Sequence, residues 1–509
     1  MKTPILGSAY VARSVNAADN RMINIFPEIV PEAGKEPAYL QRAPGLRFLA
    51  TIGDGPIRGL WHFGDYAYVV SGIEVFKIDT AYNATLIGTV SGTGPVSMAD
   101  NGGVLFIACN GPSYTYYAVT GQFDQITDPN FPGASVVGFL DGYFVFTEPN
   151  SQRFYVVSSQ TPTSYIYPLV FDPTDVSSAE GSPDGLVSLI IDHREAWLFG
   201  TTSVEVWVNA GLTDFPLQRI QGAFNEIGCA ATHSVAKLDN GIFWLGADAR
   251  GQGMVYRGEG YTGKRISTHA VEWQIQSYGT ISDAIAYTYQ QDGHSFYVLI
   301  FPTAGKTWVY DVSTGAWHER AGFSNGQFVR HRSNCMVAFN DEIIVGDYAN
   351  GKLYAFDLDV YADDGQIQKW LRSWRALPTG QNNLKRTTHH SLQLDCETGV
   401  GLEGVYGLIL AETGDILTTE TEEPLELEEA TDVGTNPQVM LRWSDDGGHT
   451  WSNEHWSPMG KVGEYSKRVF WRRLGMTLKL RDRVYEISGT DPVKVYIMGA
   501  ELLLSGTNA

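Results

Sequence analysis

From Gly59 onward the chain alternates short apolar runs with tight polar turns. Leu60–Phe63 gives way to Gly64-Asp65 and then Tyr66–Val70, and Asn101-Gly102-Gly103 precedes Val104–Ala108. Asp141-Gly142, Asp192–Glu195, Asp239-Asn240-Gly241, Asp292-Gly293-His294 and Asn340-Asp341 each stand before another aromatic or β-branched run. Turn dipeptides between apolar runs predict β-hairpins, because only Gly, Asn and Asp readily adopt the positive φ that the tightest hairpin turns need. The turns recur at roughly 39 to 53 residues, the period of a four-stranded propeller blade. Trp308–Trp317 and Lys352–Asp357 add strands that end in a turn, a further blade-like feature. The pattern predicts a β-propeller of six or seven blades over residues 51–374, with one of the seven units open to being a half-blade shared between the chain ends.

The flanks differ. Residues 1–50 carry Asn16, Asn20, Asn24, Pro27, Pro31, Pro37 and Pro44 without sustained periodicity. They read as an extended N-terminal arm whose Ile23, Ile25, Phe26, Tyr39 and Leu40 dock on a neighbouring subunit or on its own chain. After Trp374 the period weakens, and residues 412–432 hold Asp and Glu with no Lys or Arg, as an exposed acidic loop would. Strand patterns return from Gln438, so residues 375–509 are expected to form an additional C-terminal β-sandwich-like domain. The fold class is all-β.

Composition agrees with that class: 12% aromatic residues, 55 Gly and only 18% charged residues favour strands and turns over helices. The net charge of −21 argues against a tight grip on nucleic acid, which needs clustered cations. An acidic surface keeps a protein dispersed, and it lets a duplex pass without adhering. Cys109, Cys229, Cys335 and Cys396 form no CxxC pair, and runs such as Phe106-Ile107-Ala108-Cys109 are apolar, so buried free thiols of a reducing compartment are expected. The first residues hold one Lys and no apolar h-region, and no apolar run is long enough for a bilayer. A soluble chain made in the cytoplasm is the expectation, with no stable membrane insertion.

The sharpest local motif is Ser444-Asp445-Asp446-Gly447-Gly448-His449-Thr450-Trp451, which fits the S-x-D-x-G-x-T-W Asp box. In that spacing the carboxylate of Asp446 gathers backbone N–H groups, Gly448 turns the chain, Ser444 and Thr450 complete the turn and Trp451 packs beneath it. Such a box is a folding device. Sialidases carry several, together with an arginine triad that is not recognisable here. Asp192, Glu195 and Glu205 could be paired as glycosidase carboxylates, but 57 acids supply such pairs by chance. His389 and His390 are adjacent and face opposite sides of a strand, so they do not share a metal. GxSxG, HExxH and P-loop signatures are absent. No catalytic residue, cofactor site or metal site is expected. Basic residues cluster from Lys461 to Arg483, with Lys467, Arg468, Arg472 and Arg473 around Phe470 and Trp471. They are an exposed strand face paired with acids, or a contact for DNA or an acidic partner.

Several segments, in order, resemble the packaged-DNA stabilisation protein of short-tailed phages, the tail hub or nozzle. They are Asn16-Ala17 with Tyr39–Leu46, Gly92–Ala99, Asp184-Gly185-Leu186 with Phe199–Glu205, and Lys467–Gly475. The resemblance implies a structural virion protein rather than an enzyme. It further implies a homo-hexamer below the head-to-tail adaptor and portal rings, assembled in the host cytoplasm. That ring would extend the DNA exit channel, help retain packaged double-stranded DNA, and carry distal needle, fibre or spike proteins. The other reading of the residues is a glycan-binding or sialidase-like propeller acting on host surface polysaccharide.

Overall fold

The computed structural model describes residues 1–14, 18–30, 34, 36–182, 184–247, 253–377, 386–403, 433–477 and 483–506. Asn16-Ala17, the acidic stretch 412–432, and Lys479 and Arg481 lie outside the described residues. The chain divides into two compact units, one of residues 46–321 and 328–356, the other of residues 1–45, 322–327 and 357–509. Residues 46–50 thus stand with the repeats and 357–374 with the C-terminal strands. A short strand's sequence does not say which remote strand it will pair with.

The first unit is a run of antiparallel meanders. The first comprises Ile57–Phe63, Tyr66–Ser71, Glu74–Ile78 and Ala84–Thr89, and the second Ser97–Asp100, Val104–Ala108, Ser113–Tyr117 and Gln122–Gln125. The third spans Val137–Leu140 to Val176–Ser178, the fourth Leu186–Asp192 to Leu217–Asn225, and the fifth Gly228–Cys229 to Thr262–Arg265. The sixth begins with Ile285–Gln291 and His294–Phe301 and continues through Lys306–Asp311 and Ala316–Ser324. The last is assembled from both ends of the segment: Ser333–Phe339, Glu342–Asp347 and Lys352–Asp357 are joined by Gly45–Thr51.

The turn residues explain the registers. Phe63↔Tyr66, Leu140↔Tyr143, Asp192↔Glu195, Leu238↔Gly241, Gln291↔His294 and Phe339↔Glu342 all close over two residues. Asp141 and Gly142, Asp239 and Asn240, Asp292 and Gly293, and Asn340 and Asp341 hold the positive φ such loops require. His193 and Arg194 do so too, at φ 47° and 62°; histidine is among the types enriched there, and arginine is not. Arg194 is held there by a bidentate bond to Asp141, Nε and Nη2 each 3.0 Å from the carboxylate.

Each meander is covered on both faces by its neighbours, which is why runs such as Val104–Ala108 are buried throughout instead of alternating. Phe63, Tyr68 and Val70 of the first pack on Leu105, Ile107 and Tyr116 of the second. Phe106 packs with Phe144 and Phe146, and Phe199 with Trp244. Ile57 and Val69 of the first meander meet Ile344 and Leu353 of the last, closing the circle. The closing strand approaches without room for a side chain: Ile52 N–H donates to Gly351 O at 2.7 Å, and a Cβ on Gly351 would lie 2.2 Å from Gly53 O. Gly351→Ala is therefore expected to cost about 1–3 kcal/mol by overpacking, read as a lower melting temperature in calorimetry.

In the second unit, the order Ile25–Ile29, Ala38–Arg42, Tyr496–Gly506, Thr387–Cys396, Val469–Arg472 forms one antiparallel sheet. Met22–Ile23, Trp370–Arg375, Val484–Gly489, Gln438–Ser444 and His455–Pro458 follow one another in another. The N-terminal segment thus contributes strands to the C-terminal β-domain. Trp370, Trp374 and Tyr485 fill its interior. Among the described residues the single helix is His269–Gln276, and no helix is long and apolar enough to cross a membrane.

Candidate functional site

The Asp box closes the strand Gln438–Ser444. Asp446 Oδ1 accepts from the Ser444 hydroxyl at 2.6 Å, Thr450 N–H at 2.9 Å and His449 N–H at 3.0 Å, and Oδ2 accepts from the Thr450 hydroxyl at 2.6 Å. Gly448 N–H returns to Ser444 Oγ at 2.8 Å with φ 102°, and Trp451 Nε1 donates to Gly448 O at 3.1 Å. Arg442 caps the Trp451 ring at 4.7 Å. The Ser444 and Thr450 bonds hold the Asp446 carboxyl well below the usual carboxylate range. A depressed folded-state pKa contributes stability above the unfolded value and loses it as pH falls. The melting-temperature gap between the natural chain and Asp446→Asn is accordingly expected to be widest near neutral pH and to shrink below about pH 4.

The neighbouring Asp445, which the motif spacing left as a spacer, forms a bidentate pair with the buried Arg483, Nε–Oδ1 2.6 Å and Nη2–Oδ2 2.8 Å. In the sequence Arg483 showed only as the end of the basic run from Lys461.

The basic residues lie around an edge strand. Val469–Arg472 pairs with Thr387–Cys396 through Leu394↔Val469 and Leu392↔Trp471. Val469 and Trp471 are buried, which puts Phe470 and Arg472 on the opposite face, with Arg472 4.9 Å from the Phe470 ring centre. Lys467, Arg468, Arg472 and Arg473 are thus all exposed at one sheet edge, without a carboxylate partner among the described residues.

The remaining candidates are occupied locally. His389 is buried between Tyr485 and Thr387, whereas His390 is exposed against Ser505, on the other face. Asp192 meets His193 at 2.8 Å, and Glu195 accepts from the Tyr261 hydroxyl at 2.6 Å. Glu205 is buried and accepts from Gly181 N–H and from Trp207 Nε1 at 3.0 Å. All four cysteines are free thiols, and burial raises the Cys109 and Cys229 pKa values to about 11. The first strands of six of the meanders, together with residues between Thr232 and Lys237 of the fifth, line a chamber of about 560 Å³. Arg58 at its wall donates to the carbonyls of Gly94, Gly72 and Ser91, and burial lowers His233 to about 4, so that it is neutral.

The motifs that carry the family resemblance prove to be joints between remote segments. Arg58 ties Gly94, within the Gly92–Ala99 motif, to Gly72. Asp184 accepts from both N–H and hydroxyl groups of Thr202 and Ser203, and a Cβ on Gly200 would lie 2.4 Å from its Oδ2. Arg42, within Tyr39–Leu46, donates to the backbone carbonyls of Tyr361, Gln368, Asp491 and Val493. Gly45 admits no side chain, because Val360 O and Ala362 O would lie 2.4 and 2.5 Å from its Cβ.

Comparison with known proteins bears on both parts of the chain. Among solved structures, YCF48 from Cyanidioschyzon merolae is similar at 12% identity and TM-score 0.39, covering 62% of this chain and 98% of that one. The β-propeller domain of Myceliophteria thermophila Cps50 (Swd1) is similar at 8% identity and TM-score 0.38, covering 61% and 99%. No curated protein sequence matches. The family described as Bacteriophage P22 Gp10, beta-propeller matches residues 1–361, and Bacteriophage P22 Gp10, beta-sandwich matches residues 370–504. With propeller and sandwich matched in order over nearly the whole chain, the protein belongs to the bacteriophage P22 Gp10 family of phage structural proteins.

Proposed function

We propose that the chain is the hub or nozzle of a short phage tail. Six copies form a ring below the head-to-tail adaptor and portal, extend the DNA exit channel, help retain the packaged genome and carry needle, fibre or spike proteins. The family match over both domains carries this reading. The joints at Arg42, Arg58 and Asp184 suit a part whose work is to hold a shape. A net charge of −21 lets double-stranded DNA slide past without sequence-specific adhesion. The exposed cations Lys467, Arg468, Arg472 and Arg473, which have no carboxylate partner among the described residues, are the contact for an acidic partner surface or for DNA phosphates. No step of this work is catalytic, and the assembly takes place in the host cytoplasm before the protein resides in the virion tail.

Negative-stain images of the protein mixed with portal and adaptor rings test the reading: a six-fold ring below the adaptor is expected, and a monomer that binds neither ring overturns it. Arg468→Glu with Arg472→Glu is expected to leave stability within about 0.5 kcal/mol, as for exposed substitutions, while lowering occupancy on the rings or on DNA. Unchanged occupancy of both refutes the contact role. Turnover of sialosides or bacterial polysaccharide, lost on substituting one carboxylate, would favour the glycan reading instead.

A further inference from the structure

The basic edge of the second unit stands beside the root of the acidic stretch of the same chain. Leu402 N–H donates to Gly434 O at 2.8 Å, so the chain on either side of residues 404–432 is clasped together. That clasp lies against the basic segment. A Cβ on Gly401 would lie 2.4 Å from Thr435 O and 3.0 Å from both Lys461 Cα and Val462 N, and one on Gly460 would lie 3.2 Å from Lys467 Cβ. Gly399 N–H donates to Met459 O at 3.0 Å, and the Thr398 hydroxyl to Tyr465 O at 3.0 Å. Two close contacts, Gly401 on Lys461 and Gly460 on Lys467, thus lead from the root of 404–432 to the first of the four cations.

The charges on the two sides of this root are complementary. Residues 412–432 hold nine carboxylates and no Lys or Arg. The edge holds Lys467, Arg468, Arg472 and Arg473, all exposed and without a carboxylate partner among the described residues. Like charges gathered on one edge repel one another, and an anionic ligand relieves them. Several other acids of the unit are engaged elsewhere: Glu464 accepts from Lys461 N–H at 3.0 Å, Glu397 pairs with Lys494, and Asp445 pairs with Arg483. An extended chain spans about 3.3–3.6 Å per residue, so the acids within five residues of Val433 reach on the order of 15 Å from the root. Tethering also raises their concentration at the edge to about the millimolar range.

We infer that the basic edge is the docking surface for the acidic segment 412–432 of its own chain, whose carboxylates meet Lys467, Arg468, Arg472 and Arg473. The inference builds on the contact role proposed above for these cations and names their occupant in the free chain. A single exposed ion pair is worth little, so the hold comes from several charges acting together on one tether. DNA phosphates or an acidic partner then reach the edge by exchanging with this segment.

Carbodiimide cross-linking of the full chain tests this. The reagent joins a lysine amine to a carboxylate in contact with it, forming an amide while the carbodiimide takes up the water and leaves as its urea. Peptide mapping is expected to find Lys467 joined to an acid of 412–432. In a mixture of heavy-isotope-labelled and unlabelled chains, the joined peptides should carry one label only. Raising sodium chloride from about 0.05 to about 0.5 M should lower the yield several-fold by screening. Arg468→Glu with Arg472→Glu, both at exposed positions, should lower it likewise. No cross-link from Lys467 to 412–432, mixed labels in the joined peptides (a second copy as the occupant), or a yield indifferent to salt and to the double variant would each overturn the inference. Any of these from a chain that still forms the six-fold ring leaves the hub reading standing, and the expected cross-link in a chain that binds neither ring overturns the hub reading alone.

Discussion

Arg42→Met is expected to destabilise the sandwich unit by about 3–5 kcal/mol, because several buried carbonyls lose their donor together and each unsatisfied one costs about 1–3 kcal/mol. The side chain is 2% exposed, and its fork joins three separate stretches: Tyr361 with Gln368, Asp491 with Val493, and its own strand Ala38–Arg42. Nη1 reaches Val493 O at 2.9 Å, Nη2 reaches Tyr361 O at 2.9 Å, and Nε reaches Gln368 Oε1 at 3.2 Å. Burial pulls its pKa down to about 10, which leaves the group charged at neutral pH. Methionine fills much of the same volume but removes every donor, so the facing carbonyls lose their partners in a dry interior. Lysine restores a charge without the planar fork and should recover only part of the loss. Urea unfolding followed by fluorescence and by hydrogen exchange at Ala38–Arg42 reads the effect. Two units make one global transition unsafe to assume, so the local exchange rates decide. A loss under about 1 kcal/mol would show that the network is replaceable.

What the sequence disclosed follows the range over which each signal acts. The turns at Asp141-Gly142, Asp239-Asn240 and Asp292-Gly293 were readable because a positive φ is a property of one or two residues. The all-β class and the propeller followed from their spacing. The pairing of Ala38–Arg42 with Tyr496–Gly506 was not readable, since Leu40↔Ile497 is a contact between segments at opposite ends of the chain. The Asp-box spacing led to Asp446 and its local bonds. It passed over Asp445, whose partner Arg483 stands 38 residues away. The basic run was visible as composition, but whether acids faced it depended on the fold, and Lys467, Arg468, Arg472 and Arg473 proved to have no carboxylate partner among the described residues.

The same distinction explains why the family motifs look unremarkable in isolation. Gly200 matters because Asp184 lies against it, and Gly45 because two carbonyls do. At Arg42, Arg58 and Asp184 these motifs join residues far apart in the chain. A structural protein of this kind keeps its signature where chain segments meet, and an enzyme would instead gather its signature round a substrate.

Asp445→Ala should be the most damaging change in the Asp-box region, at about 3–5 kcal/mol, and well beyond Asp446→Asn. Ser444↔Val484 is the last pair of the ladder between Gln438–Ser444 and Val484–Gly489, and Asp445 and Arg483 are the next residues on each strand. Their bidentate bond closes the ladder, while Arg483 Nη1 donates to Leu474 O at 2.6 Å and the guanidinium lies 5.3 Å from the Trp443 ring centre. The two partners are unequally buried, the Arg483 side chain 1% exposed and Asp445 12%. Removing Asp445 therefore strands a cation in the interior, whereas Arg483→Met leaves a carboxylate that water can reach. The single losses should differ in that order. Arg483→Met added to Asp445→Ala should recover part of the loss, because an apolar side chain replaces the stranded charge. Melting temperatures of the three variants decide it. A double variant no more stable than Asp445→Ala alone would mean that the cost lies in the turn's geometry and not in the uncompensated guanidinium.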